Sequence, residues 1–474
     1  MGRRAMAVVL LAVFILGGCA SAHVFTVKRV DPEVPCLRPL HDANLLLGVA
    51  LSGGGSRAAL FGAAGLRALA DLRLKDGSSV LERVGYLSSV SGGSLAAAYY
   101  ALNKPPRSVP VLTPDGTLTE AYRGFFDRYT GALSQDFESA LIRRQLVSFR
   151  WLNSALAAGS LAEVLRERLL GKATLQDVSR RQMSGDSPGL IINSTLYNNG
   201  RRLAGTTLTP ASFKYDFTDD LQAALDREGR NTPIPAALKE RATQLLPMTP
   251  SELGIDPCPG LLVGWVTASA SFPPLVGPIS LRVGDEQTYW HAGDGGLYEN
   301  QGAESLLFLF LKQMQEKRIR RALLIAFDSS FPFAVGNRRL NQRSQPFSLL
   351  TFDFSRVPSI MEERATTYQR LFFQSLRLEG VFPEDDVLRV VVLRHMDAVW
   401  AIADLPPACR NEQPPLNTPE AVAQRIAEIP TRLRVKSECD RQLLAASATK
   451  LVEQQRSRIL EFFDAGPTAS GAHR

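Results

Sequence analysis

Histidine and cysteine are scarce in this sequence, which contains only five residues of each type among 474. The histidines are scattered and no CxxC pair occurs, so a zinc site is disfavoured and no metal is expected. Three consecutive glycines at 53–55 lack both the Lys-Ser/Thr of a P-loop and the further glycine of a dinucleotide-binding fingerprint. Nucleotide binding therefore has no support, and no cofactor is expected.

Long apolar runs are also absent, since no segment approaches the roughly 20 residues of a membrane-spanning helix. The apolar run at 5–16 follows two arginines and fits the hydrophobic part of a secretory signal peptide. It leads to Leu16-Gly17-Gly18-Cys19, which resembles the lipobox of bacterial lipoproteins. That resemblance implies a signal peptide over 1–18, a lipid on Cys19, and a protein tethered in the bacterial cell envelope without spanning a membrane.

The residue after the cysteine is Ala20 and not Asp, which by resemblance to enterobacterial sorting implies the outer membrane, on its periplasmic or surface side. Ordinary signal cleavage near 20–22 and an uncleaved anchor are the alternatives. The formal charge of +7 comes from Lys and Arg spread along the chain without a long basic run, which disfavours a nucleic-acid partner. Attraction to anionic lipid headgroups is the better-supported interpretation.

If Cys19 carries lipid, four cysteines remain, and an export compartment permits disulfides. Pairing of Cys409 with Cys439 would fasten the C-terminal region, and pairing of Cys36 with Cys258 would tie an N-terminal arm to the body. The sequence allows three pairing schemes. Four unpaired thiols are the alternative.

A unit of strand, glycine turn and helix occurs twice near the N-terminus. The apolar run at 45–51 is typical of a strand buried on both faces of a parallel sheet, and it leads into three glycines and a helical pattern over 57–72. The second unit has a strand at 84–90, a tight turn at 91–94 and a helix from 95. We therefore expect an α/β fold with a mainly parallel central sheet.

Further along the chain, the periodicity predicts a helical insertion at about 105–186, because that stretch is too long for a connection. More core strands are predicted at 190–197 and 322–327. The expected organisation is an arm over 19–43, a catalytic domain over 44–335, its continuation or a cap over 336–404, a helical region over 405–464, and a tail over 465–474.

Ser91 stands where a strand meets a helix, a position that exposes a hydroxyl beside the N–H groups of the helix. The usual G-x-S-x-G pattern is altered because Ser89 occupies the place of the first glycine. A serine nucleophile also needs a base and donors for the oxyanion. The glycines at 53–55 can supply backbone donors, and Asp294, flanked by glycines, is a better candidate base than either body histidine, His291 or His395.

The ordered motifs G-G-G-x-R, S-x-S-G-G and D-G-G resemble the patatin-like phospholipase family. The resemblance implies a three-layer α/β/α sandwich, a Ser-Asp dyad without histidine, and lipid acyl esters as substrates. It assigns Ser91 as the nucleophile and Asp294 as the base, and it also implies an oxyanion loop of Gly53, Gly54 and Gly55 with Arg57. The small-residue segment at 268–274 and Asn300 match the family pattern around the aspartate. Ser52 and Ser89 depart from it, since many members have Asp and Gly there.

The implied protein is a carboxylic ester hydrolase of the phospholipase A or lysophospholipase type, anchored at a membrane and needing no cofactor. A catalytically silent lipoprotein that binds lipid or a partner, and an acyltransferase that uses the same dyad, are the alternatives. Aromatic residues of the insertion are a candidate wall for acyl chains, with ordinary core packing as the alternative: Phe125, Phe126, Phe149 and Trp151.

Overall fold

The computed structural model describes residues 24–30, 43–148, 154–206, 208–230, 232–273, 276–284, 288–330 and 383–464, together with 364, 367, 371, 374 and 377. The strands are β1 (Val24–Val27), β2 (Ala43–Leu51), β3 (Val84–Val90), β4 (Gly189–Leu196), β5 (Arg202–Thr206), β6 (Ile279–Val283), β7 (Tyr289–Asp294), β8 (Ile319–Asp328) and β9 (Leu388–Arg394). The helices are α1 (Gly55–Ala70), α2 (Gly92–Asn103), α3 (Glu120–Leu133), α4 (Phe137–Val147), α5 (Ser154–Leu165), α6 (Leu175–Met183), α7 (Phe217–Arg227), α8 (Ala236–Leu245), α9 (Leu262–Ser269), α10 (Ala303–Gln315), α11 (Pro419–Ala427), α12 (Glu438–Gln454) and α13 (Arg456–Asp464).

Within the described residues, the strands form one 9-stranded sheet in the order β1-β6-β7-β4-β3-β2-β8-β9, with β5 paired to β4. The central strands β4, β3, β2, β8 and β9 run parallel to one another. Antiparallel pairs occur where β7 meets β4 and β6, and where β5 meets β4. The predicted mainly parallel sheet is confirmed.

Alternating side chains of the central strand β2 explain the layers. Leu47, Val49 and Leu51 belong to a large core with α1 and α2. Leu46 and Ala50 belong to a second core on the opposite face, formed mainly with α10. Because successive side chains of a strand point to opposite faces, an uninterrupted apolar run is buried on both. Helices therefore cover both faces, which confirms the α/β/α architecture.

Most predicted elements are present with small shifts of their ends. The strands predicted at 45–51, 84–90, 190–197 and 322–327 correspond to β2, β3, β4 and β8, and the insertion contains helices α3 to α6. The C-terminal helix α12 packs along α1 and contributes to the same large core. The helical C-terminal region therefore lies against the glycine turn at the start of α1.

Cys409 and Cys439 form a disulfide, one of the pairings that the sequence left open. Cys258 is also disulfide-bonded. Several sequence predictions lie outside the described residues, among them the signal peptide, Cys19, Cys36, Phe149 and Trp151.

Candidate active site

Strand register brings Ser91 and Asp294 to the same level of the sheet. Val90, the last residue of β3, pairs with Asn193 of β4. The next residue of β4, Ser194, pairs with Asp294 at the end of β7. Ser91 follows Val90 directly, so the serine and the aspartate meet across β4 although they are far apart in sequence. The Ser91 side chain lies close enough to the Asp294 carboxylate to lower the pKa of that group.

The turn that carries Ser91 is strained. Ser91 has φ 48° and ψ −118°, a backbone conformation that residues with a side chain rarely adopt. Its N–H donates to the Ser269 hydroxyl at 2.8 Å. The next two residues, Gly92 and Gly93, pack so closely on the backbone after β2 that a Cβ at either would collide with a carbonyl oxygen there. The Ser91 side chain is thus held at the N-terminus of α2, where the helix dipole favours developing negative charge.

Ser89, which replaces the usual glycine, lies inside β3 and is completely buried. Its hydroxyl donates to the Ile191 carbonyl at 3.2 Å and accepts from the Ser94 hydroxyl at 3.1 Å. Ser94 in turn shares a 2.9 Å hydrogen bond with Ser269, the residue that holds the Ser91 N–H. A residue in an extended strand does not need the conformational freedom of glycine. The serine at this position supports the turn through a buried hydroxyl network.

Asp294 is only 2% exposed at the end of β7. Its Oδ1 accepts the Gly296 N–H at 2.8 Å. Burial raises the pKa of Asp294 from 3.8 to about 7, although the hydrogen bonds from Gly296 and Ser91 act in the opposite direction. A carboxyl group of this kind can gain and lose a proton near neutral pH, as a general base must.

The glycine loop, residues 53–55, faces the serine. A Cβ on Gly53 would lie 3.3 Å from the Ser91 Cβ. The Gly53 N–H is already taken by the Asn300 carbonyl at 2.8 Å. Gly54 and Gly55 have φ 136° and 63°, conformations that favour glycine. Among the described residues, no protein acceptor binds the N–H of Gly54 or Gly55, which leaves two donors for an oxyanion.

Arg57, just after the glycine loop, bonds to two distant segments of the chain. Its side chain is 1% exposed and donates to the Ser329 hydroxyl at 3.1 Å, the Ser329 carbonyl at 2.7 Å and the Ile429 carbonyl at 2.6 Å. Ser52 adds a further bond, since its hydroxyl accepts the Ser329 N–H at 2.6 Å. Arg57 was predicted as part of the oxyanion loop, and the structure places its guanidinium in these anchoring bonds.

A family model described as patatin-like phospholipase matches residues 49–307, more than half of the chain. The chain belongs to the patatin-like phospholipase family. This membership supports lipid ester hydrolysis as the activity. The matched region contains the glycine loop, the Ser91 turn and Asp294, and it ends before β8 and the C-terminal helices.

Similar solved structures include human GIVD cytosolic phospholipase A2 in complex with methyl gamma-linolenyl fluorophosphonate, at 15% identity and TM-score 0.42. The match covers 90% of this chain and 60% of that chain. VipD from Legionella pneumophila matches at 13% identity and TM-score 0.27, over 86% of this chain and 67% of that chain. The chain thus spans 60% of the length of the human enzyme. No curated protein matches the sequence.

The two body histidines lie in other environments. The ring of His291 shares a 2.8 Å hydrogen bond with Ser280 on the neighbouring strand. His395 is buried against Phe61, and burial lowers its pKa to about 3, so this imidazole is neutral at physiological pH. In the part of the chain that the structure describes, neither ring bonds to Ser91.

The described residues contain no cluster of carboxylates, histidines or cysteines that could hold a metal. None of the described helices is long and apolar enough to cross a membrane.

Asn193 is a site residue that the sequence analysis missed. Its Nδ2 donates to the Ser88 hydroxyl at 2.9 Å and the Ser89 carbonyl at 3.0 Å, and its backbone carbonyl accepts the Ser269 hydroxyl at 2.6 Å. Asn193 thereby fastens β4 to β3, the strand that leads into Ser91. A buried amide in the middle of an apolar strand was the available signal.

The aromatic residues of the insertion that the structure describes are core residues. Phe125 and Phe126 are buried on α3, and the Phe125 ring stacks on Tyr129 and meets Tyr100 edge-on. These contacts favour core packing over an acyl-chain wall for this pair.

Proposed function

We propose that the protein is a serine acyl hydrolase of lipid esters, of the phospholipase A or lysophospholipase type, working at a membrane. The observation that carries the activity is the pairing of Ser91, strained at φ 48°, with the buried carboxylate of Asp294. A positioned serine, a base and backbone donors are the three parts that acyl transfer needs.

In the proposed mechanism, Asp294 accepts the hydroxyl proton of Ser91 while Oγ attacks the ester carbonyl carbon. The N–H groups of Gly54 and Gly55 stabilise the negative charge that forms on the carbonyl oxygen. When this intermediate collapses, the leaving alcohol takes the proton from Asp294 and an acyl-serine remains. Water then attacks in the same way, which releases the fatty acid and restores the serine.

The elevated pKa of Asp294 suits this role. An ordinary aspartate with a pKa of 3.8 is a weak base towards a hydroxyl group, and burial raises the value to about 7. A base whose pKa lies near the working pH is still partly ionised before the reaction, and it has a higher proton affinity than an ordinary carboxylate. A histidine is therefore not required for the first proton transfer.

The activity is tested by measuring fatty acid release from phospholipid vesicles by the wild type and by Ser91→Ala, with an alcohol or lysolipid acceptor present in parallel reactions. We expect free fatty acid from the wild type and none above background from the variant. Esters of the added acceptor in place of fatty acid would identify an acyltransferase. A folded wild type that releases nothing would identify a silent binding protein.

Exposed apolar side chains on α4 support the membrane location. Ile142, Leu146 and Val147 are 50%, 57% and 76% exposed, and the exposed Arg143 lies on the same side of the helix. Apolar side chains beside a cation suit the interface of an anionic bilayer. Together with a lipid on Cys19, this helix face would hold the active site at its substrate.

Sedimentation with phosphatidylglycerol vesicles tests this face in a Cys19→Ser background, which cannot carry the lipid. Leu146→Glu is expected to weaken vesicle binding roughly tenfold, because one exposed apolar side chain no longer enters the interface. Met183→Glu is the matched control, since Met183 is also exposed but lies at the end of α6. Equal binding by both variants would remove the role proposed for α4.

A further inference from the structure

A C-terminal segment outside the family match lies against the glycine loop. We call residues 429–435, which connect α11 to α12, the strap. The Arg432 carbonyl accepts the Ser56 N–H at 2.8 Å, within the first turn of α1. The same carbonyl oxygen occupies the space that a Cβ on Gly55 would need. The strap backbone therefore packs directly on Gly55, one of the two donors proposed for the oxyanion.

A second contact fastens the strap to the base of the loop. The buried Arg57 guanidinium bonds to Ile429, at the start of the strap, and to Ser329, just after β8. One planar group thus ties three chain segments together, and its bonds to backbone carbonyls leave little freedom of position. A Cβ on Gly54 would lie 2.9 Å from the Ser329 carbonyl oxygen and 3.0 Å from the Arg57 guanidinium, so these bonds lie directly against the glycine loop.

The other end of the strap reaches the helical insertion. Arg434 donates to the Asp136 carboxylate at 2.6 Å and to the Ser139 hydroxyl at 3.0 Å, both at the N-terminus of α4. Arg432 forms an ion pair with Glu138 at 3.5 Å. The disulfide between Cys409 and Cys439 closes a chain loop that contains the strap.

We infer that the strap is a positioning element for the oxyanion loop, so that acyl transfer at Ser91 depends on a C-terminal segment beyond the matched family region. This inference rests on the proposed function. Donors aimed at the oxyanion lose effectiveness when they move by a fraction of an ångström, because catalysis depends on preorganised geometry. The strap acts through its position only and does not touch the substrate.

The first test is Arg57→Lys, which keeps the charge but replaces the planar fork with a single nitrogen. We expect the rate constant for labelling by a fluorophosphonate, and kcat for a soluble ester, to fall about tenfold, with KM changed by less than about twofold. A merely structural role would lower the final labelled fraction, in step with the amount of folded protein, and would leave the rate constant of the folded fraction unchanged.

The second test leaves Arg57 in place and loosens the strap with Arg434→Gln. We expect a fall of about threefold in the same rate constant. Arg456→Gln is the matched control, because it removes an exposed ion pair between Arg456, at the start of α13, and Glu453, and it should label at the wild-type rate. Labelling at the wild-type rate by both Arg57→Lys and Arg434→Gln would overturn the inference.

Amide hydrogen exchange tests the strap independently of activity. The Ser56 amide should be protected in the wild type and should exchange faster in Arg434→Gln. A Ser56 amide that exchanges as fast as an exposed loop amide in the wild type would contradict the strap contact. If the wild type takes no label at all, the proposed function fails, and the exchange result still decides whether the strap holds the loop.

Discussion

Two neighbouring strands end in the same kind of turn and use it differently. After β2, the glycine loop has positive φ values at Gly54 and at Gly55, the first residue of α1. After β3, the only positive φ belongs to Ser91, a residue with a side chain, and α2 begins at once. The first turn offers backbone donors and the second offers a hydroxyl. Side by side at the carboxyl ends of two parallel strands, they form the two halves of the proposed acyl-transfer site.

The two turns also differ in what holds them. The serine turn is supported by residues within the matched family region, chiefly Ser269 and Ser94. The glycine loop, which has no side chains of its own, is bonded to Asn300 within that region, but its Gly54 and Gly55 pack against Ser329 and Arg432, which lie beyond it. A glycine loop has no side chains to restrict its own motion, so neighbouring residues must hold it in place. Here the C-terminal part of the chain provides such residues.

The largest predicted effect lies on the serine side of this comparison. Ser91→Ala should lower ester hydrolysis by about 10⁴-fold or more, because the covalent step is lost while the fold is kept. Ser94→Ala is the informative control. Because Ser94 is completely buried, the Ser94→Ala variant should still form an acyl-enzyme at Ser91. Loss of acyl-enzyme formation in Ser94→Ala, with retention in Ser91→Ala, would transfer the nucleophile to Ser94.

The contact between the two turns should be nearly as sensitive. A Cβ on Gly93 would collide with the Leu51 and Ser52 carbonyl oxygens, so Gly93→Ala must push α2 away from the glycine loop. We expect kcat to fall by about 10²-fold, comparable to the loss of an oxyanion donor. Gly131→Ala is the control, since Gly131 has open space around it and should gain stability. Unchanged kcat in Gly93→Ala would show that the two turns act independently.

Ionisation separates the two turns further, because the base proposed for the serine, Asp294, is titratable, whereas the donors proposed in the glycine loop are uncharged backbone groups. Burial raises the pKa of Asp294 to about 7, and only the deprotonated form can accept the serine proton. Below that pH the fluorophosphonate labelling rate should fall about tenfold per pH unit, and above it the rate should level off. A labelling rate that does not change between pH 5 and pH 8 would contradict this assignment of the base.

The smallest effect is expected at Ser89, which tests whether the serine turn needs a glycine before it. Ser89→Gly should change kcat by less than about twofold, since the residue lies in extended strand. The free energy of unfolding should fall by about 1 kcal/mol, because hydrogen bonds to Ile191 and Ser94 are lost and glycine is more flexible in the unfolded chain. A large gain in kcat would mean that Ser89 distorts the turn.

The sequence predicted the serine side of the site better than the loop side. Strand β2 carries a continuous apolar run and β3 a shorter apolar pattern, and Ser91 and Asp294 stand in ordered motifs, so both residues could be proposed for the site. Strands β1 and β6 were missed because they are short and lie at one edge of the sheet. The strap could not be predicted, since Arg432 and Ile429 act through their backbone carbonyls, and every residue type has one.

The central claim is that Ser91 and Asp294 form the catalytic pair without histidine. Reaction with a fluorophosphonate, followed by peptide mass mapping, tests it most directly in the wild type, Asp294→Asn, His291→Ala and His395→Ala. The account predicts a single label on Ser91 in the wild type and in both histidine variants, and labelling slowed by at least about 10³-fold in Asp294→Asn. A label on another residue, or rapid labelling of Asp294→Asn alongside loss in a histidine variant, would contradict it.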